Sequence, residues 1–314
     1  MRIAAAFLLG LLLCAGRGNA GEGAATPLDI YLHPQTLAHL PDGRALHFFC
    51  LGDGAPIVIV DAGWGDWSTR WRGFQPELAK QSKVCVLDRP GYGFSDRGPL
   101  PRDAAATVAD LQAGLSAAGL PPPYVLVGHS LGGFHMRLFA YRYPAETAGL
   151  LLIDPPTERI YQRDRVPDED LDEVRRCLSL AKKAPLSAGA PDGCVPQPAE
   201  EWSAAMRDRQ IRLLGSPALF ETELSEDLSM VGRSADQLAD ARHSLGRMPL
   251  IILQADAPPQ DERSRELDLQ AADSSRGRHV IVTGASHYIQ NDRPDVVIGS
   301  LRDILAAARD HRGE

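Results

Sequence analysis

Residues Tyr124 to Phe134, Tyr-Val-Leu-Val-Gly-His-Ser-Leu-Gly-Gly-Phe, constrain the fold of this chain more than any other stretch. Val125 to Val127 are an apolar run of the kind buried in a parallel sheet. Gly128, Ser130 and Gly132 then spell Gly-x-Ser-x-Gly. Phe134 to Tyr143 continue as an amphipathic helix that stops at Pro144. The chain has 29 glycines, so the bare pattern carries little weight, and a turn without chemistry is its plain alternative. The strand before it and the helix after it supply the missing weight. A turn this tight holds the serine in a strained conformation, and only glycine fits beside it without a Cβ clash. The Ser130 hydroxyl is thereby lifted above the carboxyl end of the strand. The following helix aims its positive N-terminus, and the Leu131 N–H, at the same point.

The surrounding chain repeats the strand–helix alternation. Thr36 to Leu40 and Ala45 to Leu51 read as a hairpin about the turn Pro41-Asp42-Gly43-Arg44. Ile57 to Asp61, Val84 to Asp88, Val125 to Val127 and Gly149 to Asp154 read as buried strands. Helices are expected between them over Arg72 to Gln81, Ala105 to Ala118 and Leu131 to Tyr143. Such alternation gives a mostly parallel sheet flanked by helices. Sheets of this kind bind ligands beyond the carboxyl ends of their strands, where Asp61, Asp88, Ser130 and Asp154 all fall.

From Pro155 to about Leu245 the alternation stops. Charged helical stretches near Asp168–Lys183, Glu200–Leu214 and Ala218–Met230 are linked by Pro- and Gly-rich joints. A helical segment inserted after a strand end would lie over the site as a lid; a solvated decoration elsewhere is the other reading. The sheet resumes with Leu250 to Gln254, a helix over Glu262 to Ala272, a strand over His279 to Val282 and a closing helix over Pro294 to Ala308. The expected architecture is thus an α/β core with an eight-stranded sheet over residues 21–154 and 247–314, with a helical cap over 155–246 after the sixth strand.

A serine hydroxyl is a poor nucleophile at neutral pH and needs a base within hydrogen-bond reach. Of nine histidines, His287 is the best candidate, in a loop after the last strand on the sheet edge where Ser130 is presented. His129 adjoins the serine, but its side chain should point elsewhere from so tight a turn. His33, His39 and His47 read as surface or packing residues. A carboxylate must then hold the imidazole tautomer. Asp154, directly at a strand end, is well placed; Asp256 is the rival, and Asp261 lies farther along the same loop. An oxyanion site needs a second backbone N–H besides that of Leu131, and Trp64, between Gly63 and Gly65, can supply it. Packing under the lid is the alternative role for Trp64 and Trp67.

Residues 1–20 read as a secretory signal: Arg2 at the start, Ile3 to Ala15 as an apolar core, and Gly18-Asn19-Ala20 as a small-residue cleavage site. The apolar core is short for a membrane span. The formal charge of −8 becomes −10 once Arg2 and Arg17 are gone, and no basic cluster survives to favour nucleic acid or anionic membranes. Export makes disulfides the expected state of Cys50, Cys85, Cys177 and Cys194. Cys177 and Cys194 lie together in the insertion, which leaves Cys50 with Cys85; buried free thiols are the other reading of each pair. No Cys/His spacing suggests a metal site.

Together, Asp61-Ala-Gly-Trp64, Asp88-Arg-Pro-Gly-Tyr-Gly-Phe-Ser95, Gly128-His-Ser-Leu-Gly-Gly133 and His287 before Asp292-Arg-Pro294 resemble the α/β-hydrolase superfamily over nearly all of the chain after residue 20. The resemblance implies neighbouring second and fourth strands, which supports a Cys50–Cys85 bridge. It also implies an acid several residues past the seventh strand. Asp256 comes early for that, and Pro258-Pro259 occupy the expected place. Some members, such as the haloalkane dehalogenases, carry the acid after the sixth strand, where Asp154 stands, so Asp154 is preferred. The usual His-Gly before the oxyanion residue is Ala62-Gly63 here. Serine at the elbow separates the chain from dehalogenases and epoxide hydrolases, which use aspartate there. The expected activity is ester hydrolysis through an acyl-enzyme on small or medium acyl groups, with no cofactor. Amides, peptides and lactones remain open as substrates, and a ligand-binding protein on the same fold is the alternative of another class.

Overall fold

The computed structural model describes residues 27–163, 168–190, 193–198, 202–256 and 261–310. The signal reading of residues 1–20 and the pair Pro258-Pro259 lie outside the described residues.

Eight strands form one sheet: β1 (Thr36–His39), β2 (Ala45–Leu51), β3 (Ile57–Asp61), β4 (Val84–Asp88), β5 (Tyr124–His129), β6 (Thr147–Ile153), β7 (Leu250–Ala255) and β8 (Gly277–Val282). Their spatial order is β1-β2-β4-β3-β5-β6-β7-β8. Only β2 runs against its neighbours, pairing antiparallel with both β1 and β4; every other pairing is parallel. β3, β4 and β5 are buried along their whole length, which explains why they read as continuous apolar runs without polar alternation.

Alternate residues of those strands feed two cores, one on each face of the sheet. Ile59, Leu126, Leu150 and Ile252 pack with α2 (Ala104–Ala117), α3 (Leu131–Arg142) and α9 (Glu262–Ala271). Val58, Val60, Val125, Val127 and Leu151 pack with α1 (Gln75–Leu78), α10 (Ile289–Asp292) and the closing helix α11 (Pro294–Asp310). A one-residue slip of any central strand would exchange these two sets, so the register is fixed by packing on both sides.

Two helices differ from the sequence pattern. The helix expected over Arg72 to Gln81 is a 3₁₀ turn at Ser68–Trp71 followed by only α1, because Gly73 and Pro76 interrupt it. α3, expected to be amphipathic, is buried all round from Leu131 to Tyr141. Its polar members have partners instead of solvent: His135 Nδ1–H donates to Asp61 at 2.6 Å, and Arg137 donates twice to Glu158 at 2.8 and 3.1 Å.

Between β6 and β7 the chain leaves the sheet and forms α4 (Glu158–Arg163), α5 (Asp168–Ala181), α6 (Ala204–Leu214), α7 (Pro217–Ser229) and α8 (Ala235–Ala241). Ser203 and Ser216 cap α6 and α7 by accepting the Met206 and Leu219 N–H groups. The helices have a small apolar cluster of their own around Val174, Cys177, Cys194 and Phe220. Two disulfides are present: Cys177–Cys194 within this segment, and Cys50–Cys85 across the antiparallel pair β2/β4, where the two residues are direct partners. No helix among the described residues is long and apolar enough to cross a membrane.

Candidate active site

Ser130 stands between the last residue of β5 and the first of α3 with φ 49° and ψ −124°, a left-handed conformation that costs a non-glycine residue on the order of 1–3 kcal/mol. Close packing explains the glycines around it. A Cβ on Gly128 would lie 2.5 Å from the Gly132 carbonyl oxygen, and one on Gly132 would lie 2.3 Å from the Asp61 oxygen. The Ser130 N–H donates to Ile153 O (2.9 Å), and its carbonyl accepts from Gly133 N–H (2.7 Å), so the strain is held from two sides.

Asp154 also has a positive φ, 44°, at the end of β6. Its Oδ2 accepts a 2.6 Å hydrogen bond from His287 Nδ1. Its Oδ1 accepts from Ala255 N–H (2.8 Å) and from Arg263 Nη2 (2.7 Å). Burial opposes ionisation of this carboxyl. The His287 hydrogen bond, the Arg263 charge and the Ala255 N–H outweigh it and hold the group below the ordinary aspartate range. With Nδ1 committed to Asp154, Nε2 of His287 is left as the acceptor. Asp256 is exposed and accepts the Gly284 N–H at 3.1 Å, while Asp261 caps α9. Neither makes a hydrogen bond to His287.

Ser130, Leu131, Asp154, His287 and Trp64 line one cavity of about 330 Å³. Pro156, Thr157, Tyr161 and Met230 complete it from the segment between β6 and β7, and Arg263 of α9 forms the remaining wall. Five of the residues singled out in the sequence therefore converge on one space, whereas Asp61, Asp88, Asp256 and Asp261 do not line it.

Two features of the site lay beyond sequence reach. The first is His129, whose ring turns toward His287: its Nε2–H donates to the His287 carbonyl at 3.0 Å, and the two rings lie 4.8 Å apart. Burial, and then the neighbouring His287, push its pKa down to about 4, so it stays neutral and braces the His287 backbone. The second is a buried ion network beneath the Trp64 loop. Arg89 donates to Asp61 (2.8 Å), to the carbonyls of Ala62 (2.7 Å) and Gly63 (2.9 Å), and to Glu226 of α7 (2.8 Å). Tyr92 O–H donates to the same Glu226 at 2.7 Å. Arg89 thus fixes the backbone just ahead of Trp64, and the Trp64 indole N–H reaches the Glu223 carbonyl of α7 at 3.2 Å. The partners are up to 159 residues apart, so no local pattern announces them. Asp88 is likewise structural: it accepts from Ser68 and Phe94 N–H groups and from the buried His47 ring.

This arrangement, an eight-stranded sheet with a serine turn after β5, a carboxylate after β6 and a histidine after β8, is the α/β-hydrolase fold. Residues 56–185 match the family described as alpha/beta hydrolase fold, and the eight-stranded sheet with its flanking helices has that fold. A solved esterase from Thermogutta terrifontis superposes with a TM-score of 0.61 at 22% identity, covering 88% of this chain and 99% of that one. The epoxide hydrolase CorEH superposes with a TM-score of 0.63 at 18% identity, covering 86% and 97%. Among curated relatives, YqjL of Bacillus subtilis is 23% identical over 274 residues, 85% of this chain and 90% of that protein. Another B. subtilis relative aligns over only 42% of its own length.

Proposed function

We propose that this protein is an exported serine hydrolase that cleaves carboxylic esters of small acyl groups through Ser130, His287 and Asp154. The observation that carries it is the 2.6 Å His287–Asp154 hydrogen bond on the wall of the cavity that a strained Ser130 also lines. In this reading Ser130 Oγ attacks the ester carbonyl while His287 Nε2 takes its proton. Asp154 holds the imidazole in the tautomer that leaves Nε2 free and stabilises the imidazolium that forms. The backbone N–H groups of Leu131 and Trp64 bind the developing oxyanion, the first at the N-terminus of α3. His287 returns its proton to the departing alcohol, and water, deprotonated in turn by His287, releases the acid. Residues 155–246 act as the cap, since four of them wall the cavity. Export is supported by the two disulfides, which persist in oxidising compartments.

The esterase among the structural neighbours fits this reading better than the epoxide hydrolase, because the residue after β5 is a serine. A fluorophosphonate probe should label the protein at Ser130, and Ser130→Ala should abolish the label. Label retained in the variant would assign the nucleophile elsewhere.

A further inference from the structure

Among the described residues that line the Ser130 cavity, one charged group is not required by acyl transfer. Arg263, the second residue of α9, borders it with its side chain 29% exposed. Its Nη2 donates to Asp154 Oδ1 at 2.7 Å and to the Pro155 carbonyl at 3.1 Å. These two bonds orient the guanidinium and use only part of its five-donor fork. Its Nε and Nη1 groups have no acceptor among the described residues.

The other charges around the cavity are spent. Among the described residues Asp154 is the single carboxylate on the wall; its side chain is only 5% exposed, and both its oxygens already accept hydrogen bonds. Trp64, Pro156, Tyr161 and Met230 add no charge. A ligand entering the cavity therefore meets a largely apolar wall on which, among the described residues, one oriented cation bears unused donors. A planar guanidinium pairs with a carboxylate through two parallel hydrogen bonds, a geometry that an ammonium does not reproduce. The cavity volume, about 330 Å³, sits at the low end for small-molecule sites and suits a short chain rather than a long lipid.

We propose that the cavity selects acyl substrates carrying a second, ionised carboxylate, such as monoesters of short dicarboxylic acids, and that Arg263 is the residue that reads this group. The proposal rests on the serine-hydrolase reading of the same site and names its substrate class.

The test compares monomethyl glutarate with methyl pentanoate, an anionic and a neutral ester of matched length, by proton release at constant pH. The wild-type protein should prefer the anionic ester in kcat/KM by about 10- to 100-fold, the range that charge-assisted hydrogen bonds deliver. Arg263→Gln should slow both esters, because Asp154 loses a partner, but the preference should collapse toward one. Arg263→Lys, with charge but no fork, should keep part of it. Equal rates on the two esters in the wild type, or a preference unchanged in Arg263→Gln, would overturn the proposal. Calorimetry with glutarate and with pentanamide provides a readout independent of turnover. Glutarate should bind the wild type more tightly than pentanamide does, and Arg263→Gln should lose that difference. If Ser130 takes no fluorophosphonate and neither ester is cleaved, the hydrolase reading fails, while the binding comparison still decides the anion site. If Ser130 is labelled but pentanamide binds as well as glutarate, the hydrolase reading stands and the anion site falls.

Discussion

Asp154 and Asp256 both follow sheet strands and both approach the loop around His287, yet their surroundings differ. Asp154 is buried and accepts the His287 Nδ1–H, whereas the Asp256 carboxylate is exposed and, among the described residues, accepts the Gly284 N–H. Asp154→Asn should therefore lower kcat by roughly 10⁴-fold, the cost of misorienting a catalytic imidazole, while Asp256→Asn should leave kcat close to wild type. Ester hydrolysis by the two purified variants, with folding checked by circular dichroism, measures the difference; the reverse ranking would reassign the acid. At this scale the placement of Ser130 and His287 on one cavity was legible in the sequence, because each is announced by a local pattern at a strand end. The acid was narrowed to a preference, since the choice depends on which strand-end carboxylate faces the β8 loop. That is set by the β6/β7 pairing, Ile153 opposite Leu253, and by the positive φ of Asp154, neither of which a propensity reports. His129 shows the same limit: the tight turn suggested a ring directed elsewhere, and packing places it behind His287.

Among the elements, α7 links the helical segment to the Trp64 loop through Glu226, Glu223 and the Arg89 network. Glu223 carries a stability cost that varies with pH. Burial, followed by the charges of Glu226 and Asp227, raises its pKa to about 8 from an ordinary value of 4.5; Arg89 opposes the rise, and Asp66 adds to it. The folded protein holds this proton up to about pH 8, while the unfolded chain releases it near 4.5. Stability contributed by the protonated group is thus lost progressively as pH rises through that interval. Glu223→Gln, which cannot ionise, should match the wild-type Tm near pH 5 and exceed it by several degrees near pH 9. Parallel Tm curves for the two proteins would show that Glu223 ionises normally. Strands were the most legible elements, because burial on both faces leaves an uninterrupted apolar run such as Ile57–Asp61. Helices were less so: the expected stretch Arg72–Gln81 shrank to α1 at Gly73 and Pro76, and α3 proved buried on every side once α8 and α2 packed against it.

For the molecule as a whole, the eight-stranded, mostly parallel sheet and the helical segment after the sixth strand match the architecture read from the alternation, whereas the order of the strands in the sheet and the contacts between that segment and the core did not follow from it. The two disulfides close loops of 35 and 17 residues, and chain entropy assigns each about 3–4 kcal/mol. Reduction should lower the unfolding midpoint in denaturant, and non-reducing digestion should yield Cys50 joined to Cys85 and Cys177 joined to Cys194; four free thiols in protein recovered from its native compartment would contradict export. The most direct measurement is the mass of the protein trapped during turnover of an activated ester, followed by peptide mapping. The account predicts an added acyl group on the Ser130 peptide, absent in Ser130→Ala, which should be slower by on the order of 10⁶-fold. Hydrolysis at the wild-type rate by Ser130→Ala, or an acyl group carried on any other residue, would contradict it.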